Sequence, residues 1–314
     1  MRRRERGVAL VVVMWVSILL TVIASSFIYE AHTDALVVRN TISMARAEAI
    51  ANAAVYRALF ELYRADNAPD AWRRDGSVRD WTYDGVPVKV EIRDESGKID
   101  VNTAADPLMR GLFQQFGLST DDANKLLDAV LDWRDPDNLK RVNGAEEPDY
   151  RAAGLTYRPA NAPFQAIEEF QLVLGMRPDL YKKLAPFITT YSRQPGINPV
   201  LASREVLMAI PGVTPQIVDA YIARRDQARA AGEPPPPFPE AGGFTANITP
   251  TASIRAEARL DDGTVFVREA VALLRPTPRK PVTFVAWRES TSPTLSGGEG
   301  DAISTPNAAQ EREQ

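Results

Sequence analysis

Residues 8–29 read VALVVVMWVSILLTVIASSFIY, an apolar run without a single charged side chain. Rising about 1.5 Å per residue as a helix, it is just long enough to cross a hydrocarbon core of about 30 Å. Immediately before it stand Arg2, Arg3, Arg4, Glu5, Arg6 and Gly7. Clustered arginines stay on the cytoplasmic side of a membrane, so the rest of the chain is expected on the far side. A buried core helix would leave that cluster unexplained. Residues 30–64 continue in helix formers without proline or glycine. Ala47, Ile50, Ala51, Ala54, Val55, Ala58, Leu59 and Leu62 recur at the three-to-four spacing of one buried face. The pattern therefore predicts one continuous helix, a membrane span over 8–29 and an amphipathic stem over 30–66.

The position of Gly7, between a short basic leader (1–7) and the span, resembles the processing site of type IV prepilins and pseudopilins. In those proteins a membrane peptidase cuts after the glycine, which implies cleavage between Gly7 and Val8 and N-methylation of Val8. An ordinary signal peptide cut near Ala24-Ser25-Ser26 and a plain single-pass anchor are the alternatives. A cleaved signal peptide would not usually run unbroken into an amphipathic helix, whereas the stem of a pilin does.

The whole chain carries −4 and the leader +3, leaving −7 for the exported part. That balance argues against nucleic acid as the main partner, because phosphate binding needs clustered Lys and Arg. With no cysteine, and His32 as the lone histidine, disulfides, zinc and His-based catalytic triads are disfavoured. Any metal must be a hard cation held by oxygen.

Beyond the stem, Asp84-Gly85 between 81–83 and the alternating Val86, Val88, Val90 and Ile92 predicts a hairpin. Residues 101–232 read as helices with short loops, ended by a proline-rich linker at 233–239. Strand patterns return at 244–249, 253–260 and 265–274, with an edge strand at 282–288. The polar tail 290–314 is predicted to be disordered. The fold class is α+β: a long N-terminal helix on an antiparallel sheet (67–100 and 240–289), interrupted by an all-helical insertion.

The insertion repeats itself. Residues 101–135 and 197–226 each place an Asn near the start, then a helix, a glycine turn (Gly117, Gly212) and a second helix ending in Arg-Asp; 168–187 is a weaker copy turning at Gly175. Ser119 or Thr120, and Thr214 before Pro215, are ready-made helix caps. These are helix-hairpin-helix-like units, which suggests a membrane-anchored DNA receptor as one alternative function. Ser119, Thr214 and Arg177 replace the second turn glycine, and only Arg224-Arg225 is locally basic, so a packing role is the stronger reading.

Oxygen ligands concentrate at 132–150, DWRDPDNLKRVNGAEEPDY. So many carboxylates repel one another unless water or a cation screens them, and calcium takes about six to eight oxygens. A solvated acidic loop and a periplasmic hydrolase using paired acids are the alternatives.

The leader, the stem, Asp132-Trp133-Arg134-Asp135-Pro136-Asp137, Gly144-Ala145-Glu146, 157–161 (YRPAN) and Ile197-Asn198-Pro199 together resemble the K-type minor pseudopilins of type II secretion systems. The resemblance implies a non-enzymatic, pilin-like subunit at the tip of the periplasmic pseudopilus, anchored in the bacterial inner membrane with its N-terminus cytoplasmic. Implied partners are the I-, J- and H-type minor pseudopilins, the prepilin peptidase, the inner-membrane assembly platform and secreted substrates. It implies calcium held by Asp135, Asp137, Glu146 and Glu147, with Asn143 and Asp149 in reserve. Most pilins carry Glu at the fifth mature position; here it is Val12, a departure shared by the K-type family that suits an initiating subunit.

Overall fold

The computed structural model describes residues 6–64, 71–239, 243–275 and 281–290. Helix α1 (Arg6–Leu62) is continuous for 57 residues, about 85 Å. From Leu10 to Ile42 its large apolar side chains are exposed; from Ala47 to Leu59 one face is buried. It is the one helix among the described residues long and apolar enough to span a bilayer.

That buried face lies on a five-stranded antiparallel sheet in the order β1-β2-β5-β6-β7: β1 (Asp75–Tyr83), β2 (Val86–Asp94), β5 (Thr251–Arg259), β6 (Val265–Leu273) and β7 (Thr283–Glu289). Val86, Val88, Val90 and Ile92 alternate toward the helix as their spacing requires. Asp84 (φ 50°) and Gly85 (φ 74°) form the tight β1–β2 turn, whose two positive φ values match the twist of the flanking strands. The helix offers Ala47, Ala51, Ala54 and Ala58, and the sheet Ala252, Ala256, Ala258, Ala270 and Ala272. Small side chains on both surfaces let the helix axis sit close to the sheet.

Between β2 and β5 the chain builds a separate helical body with its own core. Its elements are β3 (Ile99–Asp100), α2 (Asp106–Gln115), α3 (Thr120–Arg134), α4 (Glu147–Ala152), α5 (Pro178–Leu184), β4 (Ile188–Thr189), α6 (Arg204–Met208) and α7 (Pro215–Ala231). The two helix pairs α2–α3 and α6–α7 turn at Gly117 (φ 93°) and Gly212 (φ 80°), and Ser119 and Thr214 accept N-cap hydrogen bonds from Asp122 N and Ile217 N. The pairs meet where Gly111 faces Ala209; a Cβ at Gly111 would stand 2.0 Å from the Ala209 carbonyl oxygen. The weaker third copy differs, since its first arm is a 3-10 helix (Ile167–Leu172) rather than an α-helix.

The body joins the sheet at a neck where the chain leaves β2 and returns to β5: Asp94 accepts from Ser96 N, Thr249 N and Thr249 Oγ1. Strands β3 and β4 pair in parallel, and Asn198 N donates to Ser96 O at 2.7 Å. Buried Asp100 accepts from Asn102 N, Thr103 N, Arg193 N and Ser192 Oγ. Arg288 adds a strut, bonded to Glu269 on β6 and to Glu168 on the helical body.

The expectation of a strand at 244–249 is corrected. Thr245 makes a lone bridge to Ile197, and Ile248 is 63% exposed. Strand β2 is already paired on both sides, by β1 and β5, so this segment finds no free edge there and crosses as a loop. The proline-rich stretch begins just past α7, which ends on left-handed Gly232. Residues 1–5 of the leader and 291–314 of the tail lie outside the described residues.

Candidate functional site

Two places have properties the fold alone does not require: the apolar half of α1 and the acidic segment after α3. On α1, Gly7 and Val8 lie in its first turn and Val12 is exposed to the surroundings. Two contacts orient the sheet on the helix. Ser43 Oγ donates to Asp262 in the β5–β6 turn at 2.6 Å, and Arg46 reaches Asp84 in the β1–β2 turn at 3.2 Å. The Ser43 hydrogen bond is also the main reason the Asp262 carboxyl falls to about 2. Both turns therefore sit at the span end of the helix. Strand β2 runs away from them, and the helical body leaves after its far end.

The acidic segment is built around Asp132, which α3 carries into the interior with Trp133. The Trp133 ring stacks on Phe164 (5.9 Å, 9°) and contacts Tyr150 and Tyr157. Over it folds the loop 136–146. Arg141 N donates to both Asp132 oxygens, at 3.3 and 3.2 Å. Gly144 packs so tightly that a Cβ would stand 1.9 Å from Asp132 Oδ2. The 157–161 motif returns here: Asn161 Nδ2 donates to Asp137 O and to Asn138 Oδ1, holding the loop from the other side.

Each candidate ligand can now be placed. Asp135 ends α3; its Oδ2 is 3.5 Å from Arg141 and its buried Oδ1 has no partner among the described residues. Asp137 Oδ1 accepts from Leu139 N at 2.8 Å. Glu146 is only 4% exposed, and neither of its oxygens has a hydrogen-bond partner among the described residues. Glu147 turns away to Arg151 and Arg158. Asp149 caps Glu146 N and pairs with Lys140. Asn143 bonds Asp128 through both its main-chain N–H and its side-chain amide. The carboxylates facing one another are thus Asp132, Asp135, Asp137 and Glu146. Asp132 was legible only as one more acid of the loop; on α3 it falls among apolar neighbours, which marks it as a core position.

The electrostatics agree. Burial first, then repulsion from Asp135, pushes the Asp132 carboxyl up. Burial and then Asp137 do the same to Asp135, and burial followed by Asp132, Asp135 and Asp137 to Glu146. Asp149 moves down, chiefly through its hydrogen bond from Lys140. Among the described residues no three acids stand as a ready-made cation cage. The oxygens of Glu146 and Oδ1 of Asp135 are the buried carboxylate atoms of this segment left without a hydrogen-bond partner among the described residues.

The helix pairs offer less to a phosphate. Arg225 spends its guanidinium on the carbonyls of Pro199 and Ala202, and Arg204 pairs with Asp219.

Residues 90–193, the segment holding the neck and the acidic loop, match the family model for type II secretion system protein K. Over this segment the chain is similar to protein K of the type II secretion system. It is 29% identical over 210 residues to protein K of Pectobacterium carotovorum, an alignment covering 60% of this chain and 63% of that protein. Over 246 residues it is 28% identical to protein K of Pseudomonas aeruginosa, covering 70% and 73%. Its fold matches a chain in the crystal structure of the GspK-GspI-GspJ complex of enterotoxigenic Escherichia coli, with TM-score 0.58 and 18% identity, over 84% of this chain and all of that one.

Proposed function

We propose that this chain is a minor pseudopilin that caps the periplasmic pseudopilus of a type II secretion system, together with I- and J-type partners. The observation that carries this reading is directional. The apolar span and the helical body lie at opposite ends of the αβ unit, because the β1–β2 and β5–β6 turns contact α1 at Arg46 and Ser43 while the body leaves beyond the far end of β2. A subunit built this way adds bulk where the next subunit of a fibre would stack. Val12, apolar where other pilins carry a glutamate, removes the charge that would join it to a pre-existing end.

The span sits in the inner membrane with the leader cytoplasmic, and a prepilin peptidase cuts between Gly7 and Val8. Intact mass of the membrane-extracted protein tests this: loss of residues 1–7 plus one methyl group is expected, and Gly7→Val retains the leader. A mature N-terminus near Ser26 would overturn it. Gold label confined to one end of isolated fibres is expected for the cap; label along their length would overturn that role.

Calcium belongs to the same proposal. Asp132, Asp135, Asp137 and Glu146 would hold it, with Glu147 and Asp149 left to their arginine and lysine partners. Its charge would offset the mutual repulsion of those acids and tie the end of α3 to the start of α4.

A further inference from the structure

Four acids converge at the end of α3, and the cation placed between two of them comes from the chain itself. Besides its main-chain bonds to Asp132, Arg141 brings Nε to 3.4 Å from Asp132 Oδ1 and Nη2 to 3.5 Å from Asp135 Oδ2. Both distances are long for a guanidinium on a carboxylate, where about 2.7–2.9 Å is usual. Buried Glu146, with both oxygens unpartnered, receives nothing from it. A planar guanidinium donates along fixed directions in one plane, whereas a small spherical cation gathers oxygens from all sides.

We infer that Arg141 is a stand-in cation: its guanidinium and a calcium ion compete for Asp132 and Asp135, and calcium sends the arginine side chain out to solvent. This rests on the calcium reading above and adds a competitor to it. The main-chain N–H of Arg141 stays on Asp132, so the exchange moves a side chain and leaves the loop anchored. The released guanidinium arrives between Leu139, 78% exposed, and Val142, 94% exposed. Calcium would thus change the surface of the body from an apolar loop tip to an apolar tip with a free positive charge.

The test uses the full-length protein in detergent micelles. Calcium is titrated calorimetrically into the unaltered protein, Arg141→Gln and Arg141→Lys. Removing the competitor should tighten calcium about three- to tenfold in Arg141→Gln, while Arg141→Lys stays near the parent because it keeps the charge. Phenylglyoxal labelling of the unaltered protein, read by mass spectrometry, should speed up at Arg141 on adding calcium and stay constant at Arg225. Unchanged calcium affinity in Arg141→Gln, or slower labelling of Arg141 with calcium, would overturn the competition while leaving the metal site standing. No calcium binding by the unaltered protein would overturn both. The labelling arm needs no variant, so misfolding of Arg141→Gln does not shelter the proposal.

Discussion

The two cores of this protein are packed by opposite means. Between α1 and the sheet the contact is largely alanine on alanine, with valine and isoleucine from β2 filling in. The helical body instead closes around large side chains, among them Phe113, Phe164, Phe170, Trp133, Tyr150 and Tyr221. The first interface holds a long rod close to a sheet and leaves little volume to lose. The second surrounds bulky groups with short helices that have weak stability of their own, so each large side chain carries more of the fold.

The largest expected effect sits in the second core. Phe170→Ala removes a fully buried ring that contacts Phe113 and Phe164 and should cost about 3–5 kcal/mol, read as a lowered denaturation midpoint. A cost below 1 kcal/mol would break the contrast. Calcium sharpens it next. At a hundredfold excess over its dissociation constant the ion should add about 2.7 kcal/mol to the stability of the helical body. The paired change Asp137→Ala with Glu146→Ala should remove that response. Hydrogen exchange would locate the gain around α3 and α4, and protection spread equally over the sheet would contradict two separable cores.

In the first core the sensitive direction is reversed, toward added volume. Ala54→Leu should cost about 1–3 kcal/mol by forcing α1 off the sheet, whereas Ala54→Gly should cost about 1 kcal/mol from helix propensity. Equal tolerance of Leu and Gly in denaturation curves would show that the helix rides further out than its alanine face indicates. The smallest effect concerns charge. Asp132, Asp135 and Glu146 all have carboxyls raised in the folded chain. Their contribution to stability is complete below the unfolded pKa, about 4 for such groups, and is lost as pH rises through the raised folded values. With calcium chelated, Glu146→Gln should gain about 1 kcal/mol at pH 7 and nothing near pH 4. A gain that grows as pH falls would reverse the sign and refute the repulsion.

The same contrast explains what the sequence disclosed. The buried face of α1 was legible residue by residue, from Ala47 to Leu59, because a helix on a sheet obeys one period along its whole length. The Asp84-Gly85 turn and the strands around 253–260 and 265–274 were legible for the same reason. Segment 244–249 has a strand's alternation, but whether a strand forms depends on a free sheet edge, and neither edge of β2 is free. The acidic loop shows the limit more sharply. Composition marks the segment, yet it does not say that Glu147 will turn to Arg151 and Arg158, that Lys140 will take Asp149, or that Asp132 will be drawn inside. The first two assignments are settled by which cation lies within reach after folding, and the third by the face of α3 that turns to the core.

The neck between the sheet and the helical body has a mechanical consequence. The chain leaves the sheet past Asp94 at the end of β2 and returns through Thr249 to β5, so two covalent strands cross the junction side by side, tied together where Asp94 accepts from Thr249 N and Thr249 Oγ1. A single connecting strand acts as a swivel. Two lying side by side act as a strap hinge, compliant to bending in one direction and stiff to twist. The helical body is therefore held against twist relative to the sheet more firmly than one connecting strand would hold it.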